Sequence, residues 1–267
     1  MNKLTHKKLF LLDMDGTIYL DNELFDGTLD FLDYVKSIGG RYIFLTNNSS
    51  KGVDKYIEKL ASMGIEATAD DFMTSVNATI EYMKPRAYRK IYVSGTASFA
   101  RQLSDAGLCV TQKLEDDIDC LCMGNDTELT FQKLEDSCIL LGRGVDYIAT
   151  NPDWVCPTWY GFVPDCGCVC EMLGRATGRS PKFIGKPEPD MVYLACKKTG
   201  FSPDEAIIFG DRLYTDIKAG LNAGISTVFV LSGEATLDDL AKSEDKPEYV
   251  FKDIKEFYLK LRELREE

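Results

Sequence analysis

A chain of 267 residues, 45% hydrophobic and 28% charged, has the composition of an ordinary globular protein of one large or two modest domains, which excludes disorder, collagen and coiled coil. Its 31 basic and 43 acidic residues leave a net charge of −12, which repels a phosphate backbone or an anionic membrane and excludes nucleic acid as a main partner. The single histidine, His6, leaves Ser-His-Asp hydrolysis, phosphohistidine chemistry and most zinc sites without their central group.

The N-terminal basic residues are followed by an apolar run of only Leu9 to Leu12, too short for the apolar segment of a signal peptide, and nothing approaches a membrane span. Nine cysteines, an odd number in a chain large enough to fold without staples, fit reduced thiols. The expectation is a soluble, non-exported, cytoplasmic protein.

Lys8-Leu9-Phe10-Leu11-Leu12 reads as a strand buried on both faces of a parallel sheet, ending in Asp13-Met14-Asp15-Gly16-Thr17. Leu29, Leu32, Val35 and Ile38, followed by Gly39-Gly40, predict a helix with its stop signal. Tyr42 to Leu45 is a second strand, running into Thr46-Asn47-Asn48-Ser49-Ser50. Val53, Tyr56, Ile57, Leu60 and Met63 form the next helical stripe, closed by Gly64. Strand, polar loop and helix in repetition predict an α/β fold with a doubly wound, mostly parallel Rossmann-like sheet.

Residues 86–180 carry an alternation of their own: strands at Lys90–Ser94, Asp119–Met123 and Asp146–Thr150, with helices at Ala97–Ala106 and Leu129–Leu141. This length predicts an inserted α/β domain, with residues 1–85 and 181–267 as the two parts of the core. The core rhythm resumes with Ala206–Phe209 into Gly210-Asp211, a helix around Thr215–Ala223, a strand at Thr227–Leu231, and a last helix bearing Ile254, Phe257, Leu261 and Leu264.

Ligands of open parallel sheets bind at the C-terminal ends of the strands. Four polar clusters fall there: Asp13 with Asp15, Thr46 with Asn47, Lys186 after Gly185, and Asp211 with Asp216. Two unit charges about 4 Å apart repel by about 4 kcal/mol at an effective dielectric near 20, so four aspartates sharing a pocket require a cation. Oxygen-only ligands favour Mg²⁺. A carboxylate held against that cation and a lysine can attack phosphorus, while hydroxyl, amide and ammonium groups hold the non-bridging oxygens. A second aspartate, two residues on, can protonate the leaving oxygen and then activate water.

Asp13-Met14-Asp15-Gly16-Thr17, Thr46-Asn47-Asn48, Gly185-Lys186-Pro187-Glu188-Pro189 and Gly210-Asp211-Arg212-Leu213-Tyr214-Thr215-Asp216 resemble, in order, the four motifs of the haloacid dehalogenase superfamily. Ala149-Thr150-Asn151-Pro152-Asp153, Val163-Pro164 and Thr177-Gly178-Arg179 resemble its NagD-like or p-nitrophenyl phosphatase branch. The resemblance implies a phosphatase of small phosphorylated metabolites, with Asp13 as the nucleophile and Asp15 as the acid/base that lends its backbone carbonyl to Mg²⁺. It implies phosphate binding by Thr46, Asn47 and Lys186, and metal binding by Asp13 and Asp211 with Asp216 in support. The middle segment would be a cap closing over the substrate, with Asn151 and Asp153 as cap contacts. A phosphomutase or phosphotransferase would use the same phosphoaspartate. A phospho-accepting receiver or a ligand-binding protein is the alternative from another class, disfavoured by the length, the inserted segment and Asp15.

Other features have plainer readings. Asn151-Pro152-Asp153 is a turn signal in its own right. Cys166-Gly167-Cys168-Val169-Cys170 lacks zinc-ribbon spacing and reads as small residues in a helix capped by Asp165. Trp154 to Tyr160 reads as core or cap loop, with Trp159 and Tyr160 as candidate pocket residues. Substrate identity and homo-oligomerisation stay open.

Overall fold

The computed structural model describes residues 3–158 and 160–266. Contacts divide it into two compact units: Met1–Thr46, Val53–Met73 and Lys186–Glu267 form the first, and Asn47–Gly52 with Thr74–Gly185 the second. The second begins at Thr74 and not at residue 86, because Thr74 caps a helix, Ser75–Met83, whose apolar periodicity is masked by small and polar residues.

The first unit is built on a six-stranded sheet in the order Tyr249–Phe251, Ser226–Val230, Ala206–Gly210, Leu9–Leu12, Arg41–Thr46, Phe72–Thr74. Leu9–Leu12 lies parallel to both of its neighbours, and all four of its residues are buried, as the unbroken apolar run requires. Above the sheet, Phe209 and Phe257 meet edge to face at 4.6 Å between ring centres. Phe31 packs edge-on against Phe10 at 5.5 Å and Phe257 at 5.8 Å. Each such pair contributes about 0.5–1.5 kcal/mol beyond its buried area.

The helix Thr28–Ser37 stands where the sequence predicts, but its buried face is Thr28, Phe31, Leu32 and Val35, and Leu29 is 44% exposed. Steps of three residues each fall about 60° short of a full turn, so the evenly spaced stripe spirals off the face that packs. The last helix, Ile254–Glu266, buries Ile254, Phe257 and Leu261 as expected.

The second unit has a five-stranded parallel sheet, in the order Lys182–Phe183, Asp146–Ala149, Cys120–Met123, Ile91–Ser94, Val110–Thr111. Its helices Ala97–Asp105, Phe131–Gly142 and Cys166–Thr177 are N-capped by Thr96, Thr130 and Asp165. Cys166 and Cys170 are buried on one face of the last helix in an apolar cluster with Met123 and Leu173, whereas Cys168, two positions from each, is half-buried. An antiparallel hairpin, Val155–Thr158 with Gly161–Pro164, precedes that helix and exposes Tyr160 and Phe162. Trp159 lies outside the described residues. Among the described residues no helix is long and apolar enough to cross a membrane.

Candidate active site

Sheet register sets the site of the first unit. Leu12 pairs with Phe209 on one side and Phe44 on the other, so Asp13, the Gly210-Asp211 step and the Leu45-Thr46 step leave the sheet at one edge. The winding reverses direction at this central strand, which is where open α/β sheets form their ligand crevice.

Lys186 Nζ lies 2.6 Å from Asp13 Oδ1 and 2.5 Å from Asp216 Oδ1, and it donates to the Leu45 carbonyl at 3.4 Å. The Lys186 side chain is 4% exposed and Asp216 1%. Burial pulls the lysine pKa down, but the two carboxylates more than offset this and hold it well above the ordinary lysine value. Asp216 reaches the lysine because Leu213–Ile217 is a widened π-helical turn, in which the backbone N–H groups of Asp216 and Ile217 both donate to the Arg212 carbonyl. The turn folds Asp216 back so that its Oδ2 accepts from Arg212 N at 3.2 Å.

Asp211 completes the cluster. Its Oδ2 accepts from Glu234 N at 2.7 Å, while its Oδ1 is buried with no hydrogen-bond partner among the described residues. Oxygens of Asp13, Asp211 and Asp216 all lie within 4.8 Å of one another. Burial raises Asp211 to about 7 and Asp216 to about 6, with the mutual repulsion of the carboxylates adding to the Asp211 shift and Lys186 opposing that of Asp216. Fully ionised, three carboxylates against one ammonium carry two uncompensated negative charges. The orphaned Asp211 oxygen and that charge deficit both fit a divalent cation.

Asp15 stands apart from this trio. Its side chain is 53% exposed, Tyr19 Oη donates to its Oδ2 at 3.2 Å, and Lys59 Nζ lies 3.5 Å from its Oδ1. Partial desolvation by the loop raises its carboxyl above the usual range, with the Asp13 charge reinforcing the shift and Lys59 opposing it.

Thr46 is buried at the end of its strand. Asn47 opens the short segment that counts with the second unit, where its carbonyl accepts from Ser75 Oγ at 2.7 Å and Asn151 Nδ2 at 2.6 Å. Its amide donates to Asp153 Oδ1 at 3.2 Å. Asn151 and Asp153 are expected as cap contacts, yet both are buried and turned onto Asn47. The Asn-Pro-Asp turn holds the Asn47 loop.

Several supporting residues escape the motif-based reading: Tyr19 and Lys59 around Asp15, Ser75 behind Asn47, and Gly233-Glu234 behind Asp211. A Cβ at Gly233 or at Gly16 would run into the Asp211 carboxylate, and one at Gly210 into Asp216. The strand-end rule extended to Ser226–Val230 would have drawn attention to Ser232-Gly233-Glu234, whereas Lys59 carries no sequence signal because it sits on the polar side of an ordinary amphipathic helix.

Comparison with known proteins agrees with this geometry. Residues 10–109 match the family described as haloacid dehalogenase-like hydrolase, and residues 183–257 match a second family described as HAD-hydrolase-like. An acid sugar phosphatase of Staphylococcus aureus is 35% identical over 250 residues, 93% of this chain and 96% of that protein. The crystal structure of a 4-nitrophenylphosphatase from Thermotoga maritima is 40% identical, with a TM-score of 0.91 over 96% of this chain and 98% of that one. NagD from Escherichia coli K-12 is 30% identical, with a TM-score of 0.85 over 94% and 98%. With near-complete coverage at these identities, the chain belongs to the haloacid dehalogenase superfamily, in its NagD and nitrophenyl phosphatase branch, and is a phosphomonoesterase of that type.

Proposed function

We propose that the chain is a cytoplasmic, Mg²⁺-dependent phosphatase of small phosphomonoesters that works through a phosphoaspartate on Asp13. The observation that carries this reading is the convergence of Asp13, Lys186, Asp211 and Asp216 at one sheet edge, with a buried Asp211 oxygen left over for a cation. Asp13, Asp211 and Asp216 would hold Mg²⁺, with the Asp15 backbone carbonyl contributing. The ion supplies positive charge against the carboxylates and the phosphate oxygens.

The chain's own groups divide the work. Lys186 engages one oxygen of Asp13, and the other is the nucleophile that attacks phosphorus as the P–O ester bond breaks. Asp15, half open to its surroundings and raised toward its protonated form, gives its proton to the departing oxygen. It then takes a proton from water, which attacks the phosphoaspartate and frees phosphate and Asp13. Thr46, Asn47 and Lys186 hold the non-bridging oxygens. Asn151 supports that role as a positioning residue, because its contact is with the Asn47 carbonyl.

The names of the relatives, a sugar phosphatase and a 4-nitrophenylphosphatase, support small monoesters of the sugar phosphate, nucleotide monophosphate or p-nitrophenyl phosphate type. The net charge of −12 supports a small substrate over nucleic acid, and nine cysteines, an odd number, suit a reducing compartment. The test is phosphate release from a panel of such esters with Mg²⁺ or EDTA, run beside Asp13→Asn. Release by the wild type with Mg²⁺ alone is expected; turnover by Asp13→Asn would overturn the reading.

A further inference from the structure

We propose that Lys59 and Tyr19 are positioning residues for the second half of the reaction, forming a bracket that fixes Asp15. The inference rests on the acid/base reading of Asp15 given above and adds two residues outside the four motifs.

Asp15 lies on a loop with more than half of its side chain exposed, an environment in which a short carboxylate samples several rotamers. Proton transfer to a leaving oxygen, and later from a water, needs one of them. The structure supplies two clamps. Tyr19 Oη donates to Oδ2 at 3.2 Å, and Lys59 Nζ approaches Oδ1 to 3.5 Å, so among the described residues each oxygen is held by one clamp. A carboxylate offers about four lone-pair sites, so one on each oxygen is left for substrate or water.

Both clamps are themselves anchored. Tyr19 is wholly buried, its carbonyl accepts from Gly16 N at 2.8 Å, and its own N–H bonds to the Met14 carbonyl, which ties it to the loop carrying Asp15. Lys59 projects from the helix Val53–Ser62, and its ammonium sits 3.9 Å from the centre of the Tyr19 ring. That cation–π contact keeps the long side chain over the carboxylate.

The test compares Lys59→Met, Lys59→Arg, Tyr19→Phe and Asp15→Asn, each alone, with Lys59→Met also combined with Asp15→Asn, using kcat, KM and the level of acid-stable phosphoenzyme. Positioned proton transfer contributes roughly a hundredfold or more. Lys59→Met is expected to lose about tenfold of that in kcat, with KM within about twofold and phosphoenzyme accumulating. Lys59→Arg, which keeps the charge, should recover most of the loss. Tyr19→Phe keeps the ring and should lose a few-fold.

In the Asp15→Asn background Lys59→Met should cost nothing further, an outcome that a merely structural lysine would not give. Losses that multiply in the double variant, or wild-type kcat in Lys59→Met, would overturn the bracket. Normal turnover by Asp15→Asn would instead overturn the acid/base reading beneath it, so the two failures are distinguishable.

Discussion

Lys186 is the residue on which the charge balance of the site turns. Its ammonium, almost wholly buried, contacts both Asp13 and Asp216, whose side chains are themselves largely shielded from water. Removing one member of a buried ion pair costs about 3–5 kcal/mol, because the partner is left uncompensated. Lys186→Met is therefore expected to abolish phosphate release and to lower unfolding stability, read by chemical denaturation, by an amount in that range. Unchanged stability would contradict the pairing.

The acidic trio adds a pH dependence whose sign is fixed. Asp211 and Asp216 are raised from 3.8 to about 7 and about 6, so in the metal-free fold their protonated forms are favoured. Their contribution to stability is fully present below the unfolded value and is lost as pH rises through about 6 to 7. A divalent cation replaces those protons, so the rise in Tm produced by Mg²⁺ over EDTA should be small near about pH 5 and large near about pH 8. An equal rise at both would count against the trio as the cation site.

At the scale of elements, close backbone approaches make the site. Gly233 sits so near the Asp211 carboxylate that a methyl group there has no space, and its neighbour Glu234 donates the N–H that fixes Oδ2. Gly233→Ala is expected to raise the Mg²⁺ concentration for half-maximal activity by roughly tenfold or more, as disturbance of the groups behind a metal ligand does. An unshifted metal titration would show that the loop at residues 232–235 does not support the cation site.

Legibility in the sequence follows the same physics. Leu9–Leu12, Arg41–Thr46 and Ala206–Gly210 are readable because strands buried on both faces must be continuously apolar, and the polar residues just past them mark the candidate site. The short edge strands Phe72–Thr74, Tyr249–Phe251 and Val110–Thr111 carry too few residues for a period to show. The helix Asp190–Thr199 hides behind Pro187 and Pro189, which read first as loop. Lys59 and Tyr19 are invisible as partners of Asp15, because their meeting depends on the hairpin Tyr19–Leu20 with Glu23–Leu24 and on the pitch of a neighbouring helix. The contact of the Asn151 amide with the Asn47 carbonyl is likewise a product of packing that no motif encodes.

At the scale of the whole molecule, two parallel sheets in separate units divide the chain's tasks. The first unit carries Asp13, Asp15, Thr46, Lys186, Asp211 and Asp216; the second carries Asn47 with the residues that fix it, Ser75, Asn151 and Asp153. The long-range pairing of strands in the first unit, with Leu9–Leu12 joined to Ala206–Gly210 from the far end of the chain, means that Asp13 and the cluster around it come together only once the entire core has assembled. In the proposed mechanism the phosphoryl group passes through Asp13. The direct measurement is to mix Asp15→Asn with p-nitrophenyl phosphate and Mg²⁺, quench in acid, and locate the phosphoryl group by peptide mass spectrometry. A phosphorylated Asp13 is expected, absent when EDTA replaces Mg²⁺. Wild-type turnover of that ester with no phosphoryl group on Asp13 in the quenched variant, or with the group on another residue, would contradict it.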